Sequence, residues 1–220
     1  MRIAHDSQNL FLEGPAGRLE AILWTPTRAD SPPLAAVICH PHPLFGGTMH
    51  NKVVYNAAKT LDVLGIPVLR FNFRGAGLSD GEHDQGRGEQ GDVQAALDFL
   101  AAQFPNVPLL LAGFSFGSFV GLRVGCRDAR VSELIGMGIP VNSTDFSFLA
   151  ECPKPKLFVQ GAEDQFGGRT KVQEVIATPP GENQLVVVQG GDHFFAGHLD
   201  EFNAAITSWL TARHPELHAL

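Results

Sequence analysis

Cysteine is scarce in this 220-residue sequence, and its three cysteines, Cys39, Cys126 and Cys152, are widely spaced. None of them forms a Cys-x-x-Cys pair, and an odd number of scattered cysteines does not make a disulfide framework. We therefore interpret them as reduced, mostly buried thiols and expect a cytoplasmic protein without a metal site built on cysteine.

Positively charged residues are also fewer than negatively charged ones. The sequence holds 16 Lys and Arg against 23 Asp and Glu, which gives a net charge of −7. Nucleic acids and anionic membrane surfaces are bound through basic patches, so neither is an expected partner. The sequence also has no apolar run long enough for a membrane span and no N-terminal apolar stretch typical of a signal peptide. We predict a single domain over residues 1–220.

Apolar runs that alternate with amphipathic segments indicate the fold. Two runs flank a Gly-Pro-Ala-Gly turn and predict an antiparallel hairpin, and a proline-rich loop is expected at 25–33. Later apolar runs predict strands buried on both faces, as in a parallel sheet. We therefore predict an α/β fold with a mainly parallel sheet, an antiparallel N-terminal hairpin and helices on both faces. The predicted strands are 10–13, 19–24, 34–39, 66–73, 109–114, 133–139, 156–160 and 185–189; the predicted helices are 51–64, 92–104, 116–127, 169–177 and 199–212.

The strongest functional motif is Gly-Phe-Ser-Phe-Gly at 113–117, between an apolar strand and a helix. A serine on such a sharp turn exposes its hydroxyl beside the helix N-terminus, so Ser115 is the candidate nucleophile. A second Gly-x-Ser-x-Gly at 77–81 is followed by polar residues rather than by a helix. Ser79 therefore lacks the context that a nucleophile needs.

A serine hydroxyl needs a base, and the base needs an acid that orients it. His193 follows a predicted strand and is the candidate base, and Asp164, after the preceding strand, is the candidate acid. Glu163, Asp145 and Asp192 are less favoured alternatives for the acid. In parallel sheets ligands bind at the carboxyl ends of the strands, which is where all the candidates lie.

With these residues the chain resembles a small α/β-hydrolase over nearly its whole length. The motif at 113–117 matches the nucleophile elbow, the order Ser, Asp, His matches that fold, and residues 73–81 resemble a common Arg-Gly-x-Gly-x-Ser loop. The segments His-Pro-His-Pro-Leu-Phe-Gly-Gly at 40–47 and Asp-His-Phe-Phe at 192–195 are similar to a bacterial subgroup of compact predicted esterases and serine-aminopeptidase-like hydrolases. The resemblance implies acyl-bond hydrolysis with a small-molecule acyl substrate and no cofactor.

An acyl-transfer site must also bind the oxyanion. The resemblance implies that one donor is the backbone N–H of Phe116, after the nucleophile, and that the other lies in the loop at 40–47. The alignment favours the N–H of His42, with that of Leu44 as the alternative. Pro41 and Pro43 are excluded because proline has no N–H.

Only about fifteen residues separate the strands that end near Pro140 and begin near Lys156. This length excludes a large cap domain and predicts a short flap at 141–150 over an open pocket. The expected ligand of this pocket is an apolar acyl group. The candidate lining residues are Phe45, Phe114, Phe116, Phe146, Phe148, Phe194 and Phe195.

Two further motifs suggest other functions. His40 and His42 form a His-x-His pair that would suit a metal-dependent hydrolase, but no third ligand motif lies nearby. The Gly-x-Gly-x-x-Gly at 86–91 does not directly follow a strand, so it does not indicate a dinucleotide site. We expect a serine hydrolase of a small carboxylic ester without a metal. The alternatives are a thioesterase, a small-peptide or amide hydrolase, a metal-dependent hydrolase and a non-catalytic binding protein.

Overall fold

The computed structural model describes residues 5–27, 32–177 and 180–217, so part of the predicted loop at 25–33 lies outside the described residues. The chain folds as strands and helices in alternation after an N-terminal strand pair. The strands are β1 (His5–Gly14), β2 (Gly17–Pro26), β3 (Ala35–Cys39), β4 (Val68–Phe71), β5 (Leu109–Phe114), β6 (Val131–Met137), β7 (Lys156–Gly161) and β8 (Asn183–Val188). The helices are α1 (Lys52–Val63), α2 (Glu89–Gln103), α3 (Phe116–Arg127), α4 (Arg169–Ala177) and α5 (Leu199–Arg213).

The strands form one sheet in the order β1-β2-β4-β3-β5-β6-β7-β8. β2 pairs antiparallel with both β1 and β4, and every other neighbouring pair is parallel. This confirms the predicted mainly parallel sheet with an antiparallel N-terminal hairpin. The parallel arrangement brings the carboxyl ends of β3, β4, β5, β7 and β8 to one edge, where the loops that follow them meet.

Two apolar layers cover the sheet. Along β5, Leu109 and Leu111 pack toward α2, α3 and α4, whereas Leu110 and Ala112 pack toward α1 and α5. All four residues are buried because a helix layer lies on each face. The alternation of side chains along a strand therefore explains why the central strands are apolar throughout.

Most element boundaries differ from the predictions by one to five residues, and two of these differences have a clear local reason. α2 begins at Glu89 rather than at 92, since the buried Glu89 carboxylate accepts the N–H groups of Asp84 and Gly86 and closes the preceding turn. β6 ends at Met137 rather than at 139, since the N–H of Ile139 donates to the side chain of Gln160 and leaves the ladder. Apolar patterning does not reveal either side-chain acceptor.

The connection between β6 and β7 is short, as predicted. Residues 138–155 hold turns and a 3₁₀ helix, Ser147–Glu151, and no cap domain. The predicted flap at 141–150 falls within this segment. Among the described helices, none is both long enough and apolar enough to cross a membrane.

Helix α3 lies unusually close to the sheet at its N-terminus. A Cβ atom on Gly117 would lie 2.4 Å from the carbonyl oxygen of Cys39, and one on Gly113 would lie 2.3 Å from that of Gly117. Real Cβ atoms do not approach backbone oxygens so closely, so only glycine fits at these two positions. This contact fixes the start of α3 against the ends of β3 and β5.

We expect Gly117→Ala to lower the free energy of unfolding by about 3 kcal/mol, because the added methyl group must push α3 away from β3. Gly168→Ala is the matched control, since its Cβ would meet no atom within 4 Å. Urea denaturation followed by circular dichroism measures both variants. Equal stabilities for the two would contradict the close packing at the elbow.

Candidate active site

Ser115 occupies the sharp turn between β5 and α3. Its backbone is left-handed, with φ 53° and ψ −121°, which is strained for a residue with a side chain. Two hydrogen bonds hold the turn: the N–H of Ser115 donates to the carbonyl oxygen of Met137 (2.9 Å), and the hydroxyl of Ser118 donates to the carbonyl oxygen of Ser115 (2.5 Å). The Ser115 hydroxyl therefore projects from the carboxyl edge of the sheet.

The structure brings the predicted nucleophile, base and acid into one hydrogen-bonded chain. His193 Nε2 lies 3.0 Å from Ser115 Oγ, and His193 Nδ1 lies 2.8 Å from Asp164 Oδ2. His193 and Asp164 are both buried, so water competes little for these bonds. With Nδ1–H donated to the carboxylate, His193 Nε2 is free to accept the serine proton.

The Asp164 carboxylate is held by donors on both oxygens. Oδ2 accepts a bond from Gln160 Nε2 (2.7 Å) as well as from His193, and Oδ1 accepts the N–H of Phe166 (2.8 Å). Gln160 also donates to the carbonyl oxygen of Gly167 (2.9 Å). The sequence prediction missed this buried glutamine, because a polar residue at the end of a strand carries no motif.

The three alternative acids lie elsewhere. Glu163 is exposed, and Asp145 binds the N–H and hydroxyl of Ser147. Asp192 accepts the N–H groups of Phe194 and Ala196 through Oδ1 at 2.9 Å. Asp192 therefore shapes the turn that presents His193 but does not contact its ring.

The loop at 40–47, which we name the oxyanion loop after its predicted role, leaves one of its two predicted donors unpaired. Among the described residues, no protein acceptor receives the N–H of His42 or that of Phe116. The N–H of Leu44, in contrast, donates to Nδ1 of His42 at 3.3 Å. The alternative donor is therefore engaged, whereas the two favoured N–H groups are available to a ligand.

His40 anchors this loop. Its Nδ1 donates to the carbonyl oxygen of Pro41 (2.6 Å), and its Nε2 accepts the N–H of Phe73 (2.9 Å), which ties the end of β3 to the end of β4. Both ring nitrogens are thus used, so His40 has no lone pair for a metal ion and cannot form the His-x-His chelate with His42. Burial lowers the pKa of His40 to about 4, which keeps the ring neutral.

A cleft opens beside Ser115. Its volume is about 260 Å³. Three predicted phenylalanines line it, Phe45, Phe116 and Phe194, and Phe45 is 87% exposed at the rim. Phe166, which the prediction missed, packs on His193 with 4.6 Å between ring centroids. The remaining lining residues are Pro41, His42, Gly46, Gly47, Asn51, Ser115, Pro140, Ser143, Thr144 and His193.

Four other phenylalanines predicted for the pocket do not line this cleft, and the prediction is corrected for them. Phe114 is fully buried beneath the ring of His193, at 5.0 Å between centroids. Phe195 is buried against helix α5. Phe146 and Phe148 pack on each other and on α3. Composition near the site does not reveal which way a ring turns.

His42 forms one wall of the cleft. Its ring packs on Phe116 and on His83, with centroid distances of 4.8 Å and 4.6 Å. Burial, with a contribution from the neighbouring His83, lowers the pKa of His42, so a neutral ring faces the cleft. The bond from Leu44 to Nδ1 places the proton of that neutral ring on Nε2.

Ser79, in the second Gly-x-Ser-x-Gly sequence, has a different environment. Its hydroxyl donates to the carbonyl oxygen of Asn72 (2.7 Å) and accepts the N–H of Glu20 (2.9 Å). It thus fastens the loop after β4 to β2.

Comparisons with family models and with solved structures point to the same family. Residues 36–204 match the family model described as an alpha/beta hydrolase domain. An uncharacterised protein of Rickettsia prowazekii is 37% identical over 95% of this chain and 91% of its own. A lidless α/β serine hydrolase of Xanthomonas campestris is 36% identical with a TM-score of 0.86, over 94% of both chains. An α/β serine hydrolase homologue of Coxiella burnetii is 36% identical with a TM-score of 0.87, over 96% of this chain and 100% of that one.

The buried neutral His40 predicts a pH dependence of stability. Its pKa is about 4 when folded and 6.5 when exposed, so between these values the unfolded chain binds more protons. The stabilisation from His40 is complete above pH 6.5 and is lost as the pH falls toward 4. We expect the stability difference between the wild type and His40→Gln to narrow by about 3 kcal/mol from pH 7 to pH 4.

Urea unfolding at a series of pH values measures this difference. The control is His50→Gln, which replaces an exposed histidine. A plot of its free energy of unfolding against pH should be parallel to that of the wild type. A His40→Gln profile parallel to the wild type over the whole range would contradict a buried neutral His40.

Proposed function

The chain belongs to the α/β-hydrolase family, and from this premise we propose that it is a serine hydrolase that cleaves a small carboxylic ester through Ser115, His193 and Asp164. The observation that carries the proposal is the continuous hydrogen-bonded chain from Asp164 through His193 to the Ser115 hydroxyl. This hydrogen-bonded arrangement of Asp, His and Ser also activates the serine in unrelated folds.

The first step is acylation. Ser115 Oγ attacks the ester carbonyl carbon while His193 Nε2 takes the hydroxyl proton. The imidazolium that forms then donates this proton to the leaving alcohol. Asp164 Oδ2 keeps the ring in the tautomer with Nδ1 protonated and stabilises the imidazolium charge. Gln160, which binds the same oxygen, is a positioning residue for Asp164.

The negative charge that develops on the carbonyl oxygen needs hydrogen-bond donors fixed in advance. We propose the N–H groups of Phe116 and His42 for this role. Neither donates a hydrogen bond to a described residue, and both residues line the cleft. The dipole of α3 adds positive potential at the same place. The anchor at His40 and the prolines of the oxyanion loop limit the reorganisation that binding would require.

Deacylation repeats the chemistry with water. His193 removes a proton from a water molecule, the hydroxide attacks the acyl carbon, and the Ser115 oxygen leaves with the proton. The cleft is open toward solvent because the segment at 138–155 forms no cap domain over it, so water has direct access to the acyl-enzyme.

The lining of the cleft favours a neutral, apolar acyl group. Among the described residues that line it there is no Asp, Glu, Lys or Arg. An aminopeptidase needs a carboxylate to pair with the substrate ammonium group, so this lining favours an ester over a peptide. A thioester of the same acyl group is the second candidate, because the lining does not distinguish oxygen from sulfur in the leaving group.

We expect Ser115→Ala to lower kcat for a p-nitrophenyl ester at least about 10⁵-fold and to abolish labelling by a fluorophosphonate, since within residues 5–27, 32–177 and 180–217 no other hydroxyl is hydrogen-bonded to His193. Intact-mass and peptide mass spectrometry locate the adduct, and p-nitrophenolate release gives the rate. Ser208→Ala, at an exposed serine on α5, is the matched control and keeps both activities.

Ser79→Ala tests the second motif in the same assay and should still be labelled on Ser115. An adduct on another residue, or unchanged turnover in Ser115→Ala, would overturn the mechanism. A folded wild type with neither labelling nor turnover would favour the non-catalytic binding protein.

Asp164→Asn should lower kcat about 10⁴-fold with little change in the fluorescence of the folded protein, because the amide no longer selects the His193 tautomer that serves as base. Glu163→Gln is the control, one residue away and exposed, and should keep wild-type kcat. Steady-state kinetics with the same ester separate the two. A larger loss in Glu163→Gln than in Asp164→Asn would reassign the acid.

A further inference from the structure

The exposed apolar side chains of this protein are concentrated around the cleft. Within the described residues, seven large apolar or aromatic side chains are exposed. Three of them, Phe45, Phe166 and Phe194, line the cleft, and a fourth, Leu44, directly precedes Phe45. Single apolar residues are normal on a protein surface, whereas a cluster of them around one cleft indicates a binding surface. The proposed acyl transfer assigns no role to these side chains.

Phe45 is the most exposed of these side chains, and the backbone holds it at the rim of the cleft. It ends the short 3₁₀ turn Pro43–Phe45. The N–H of Phe45 donates to the carbonyl oxygen of His42 (3.1 Å), and the N–H of Gly46 donates to the carbonyl oxygen of Pro43 (3.1 Å). The Phe45 ring packs on the ring of His42 at 4.8 Å between centroids. The remaining surface of the Phe45 ring adds nothing to the core and is available to a ligand.

The part of the cleft next to Phe45 has room for a chain. Gly46 and Gly47 follow Phe45 and line the cleft without side chains. A Cβ atom on Gly46 would meet no atom within 4 Å, so the space over this residue is open. An unbranched apolar chain that starts at Ser115 can therefore extend along this backbone to Phe45, where contact with the ring replaces contact with water.

The position of the proposed base distinguishes the two ends of the cleft. His193 must donate its proton to the leaving oxygen, so the leaving group lies beside His193. The rings of Phe166 and Phe194 contact His193 there, at 4.6 Å and 5.2 Å between centroids. Phe45 belongs to the loop after β3, and in the sheet β3 lies on the opposite side of β5 from β7 and β8, which precede Phe166 and Phe194. This arrangement leaves the Phe45 end of the cleft for the acyl group.

We propose that Phe45 is a specificity-determining residue that binds the distal part of a straight-chain fatty acyl group, so that the preferred substrates are medium-chain esters. The inference rests on the proposed function and narrows its substrate class. A short acyl group leaves the Phe45 ring in water, whereas a longer chain covers it. Complete burial of one methylene group improves binding about fourfold. Phe45 covers the chain from one side only, so we expect about half of that free energy, which is about twofold for each methylene.

The test measures kcat/KM for p-nitrophenyl esters from acetate to octanoate, below the concentrations at which they form micelles. In the wild type, kcat/KM should rise about twofold with each added methylene. In Phe45→Ala, the ratio of kcat/KM for octanoate to that for acetate should fall about tenfold, because about three or four outer methylenes lose the ring. Phe11→Ala is the matched control. It removes an exposed phenyl ring from β1, outside the cleft, and should keep the wild-type ratio.

A second series varies the alcohol instead of the acid. Acetate esters of alcohols from ethanol to octanol are hydrolysed in a pH-stat, which measures the acid released. Because the proposed leaving group lies beside His193, the dependence of kcat/KM on alcohol length should be the same in Phe45→Ala and in the wild type.

Straight-chain methyl ketones separate this inference from the proposed function, since they resemble the esters but are not hydrolysed. NMR titration of Ser115→Ala should give a Kd that falls about twofold with each methylene, and the added change Phe45→Ala should remove most of this dependence. Such binding without turnover of any ester would overturn the proposed function and support the acyl subsite. Three outcomes would overturn the subsite: ester turnover independent of acyl length, equal octanoate-to-acetate ratios in Phe45→Ala and the wild type, or a loss confined to the alcohol series.

Discussion

The close approach of α3 to the ends of β3 and β5 is the constraint on which the rest of the site depends. Glycines at 113 and 117 allow backbone to touch backbone there, and Ser115 between them is forced into a left-handed conformation. That conformation lifts the hydroxyl out of the sheet and turns the first N–H groups of α3 toward the same space. One packing contact thus places both the proposed nucleophile and a proposed oxyanion donor.

Around this contact, three of the loops at the carboxyl edge are fixed by polar side chains, of which His40 and Gln160 are buried. His40 ties the oxyanion loop to the end of β4, Gln160 holds Asp164, and Asp192 shapes the turn before His193. Because these groups are satisfied by hydrogen bonds within the protein, they are stable when buried and leave little freedom to the loops. The site is therefore held in one geometry although residues 138–155 form no cap domain, and the cleft stays open to water and substrate.

The sequence was sufficient for the parts of the fold and site that local chemistry determines. Apolar runs predicted the strands, and the glycine–serine turn together with strand ends predicted the three side chains that the structure brings together. Sequence reasoning failed where the orientation of a side chain decides whether it lines the cleft or the core. Phe114 and Phe146 lie next to the site in sequence or space but turn into the core, and Gln160 is polar without a motif.

In the proposed mechanism, Ser115 bonds to the substrate carbon while the N–H groups of Phe116 and His42 bind the developing oxyanion. A crystal structure of the wild type after reaction with an alkyl phosphonate ester, a mimic of the tetrahedral intermediate, tests it most directly. We expect phosphorus bonded to Ser115 Oγ, with its free oxygen about 2.7–3.1 Å from both nitrogens. Phosphorus on another residue, or a free oxygen directed away from both N–H groups, would contradict it.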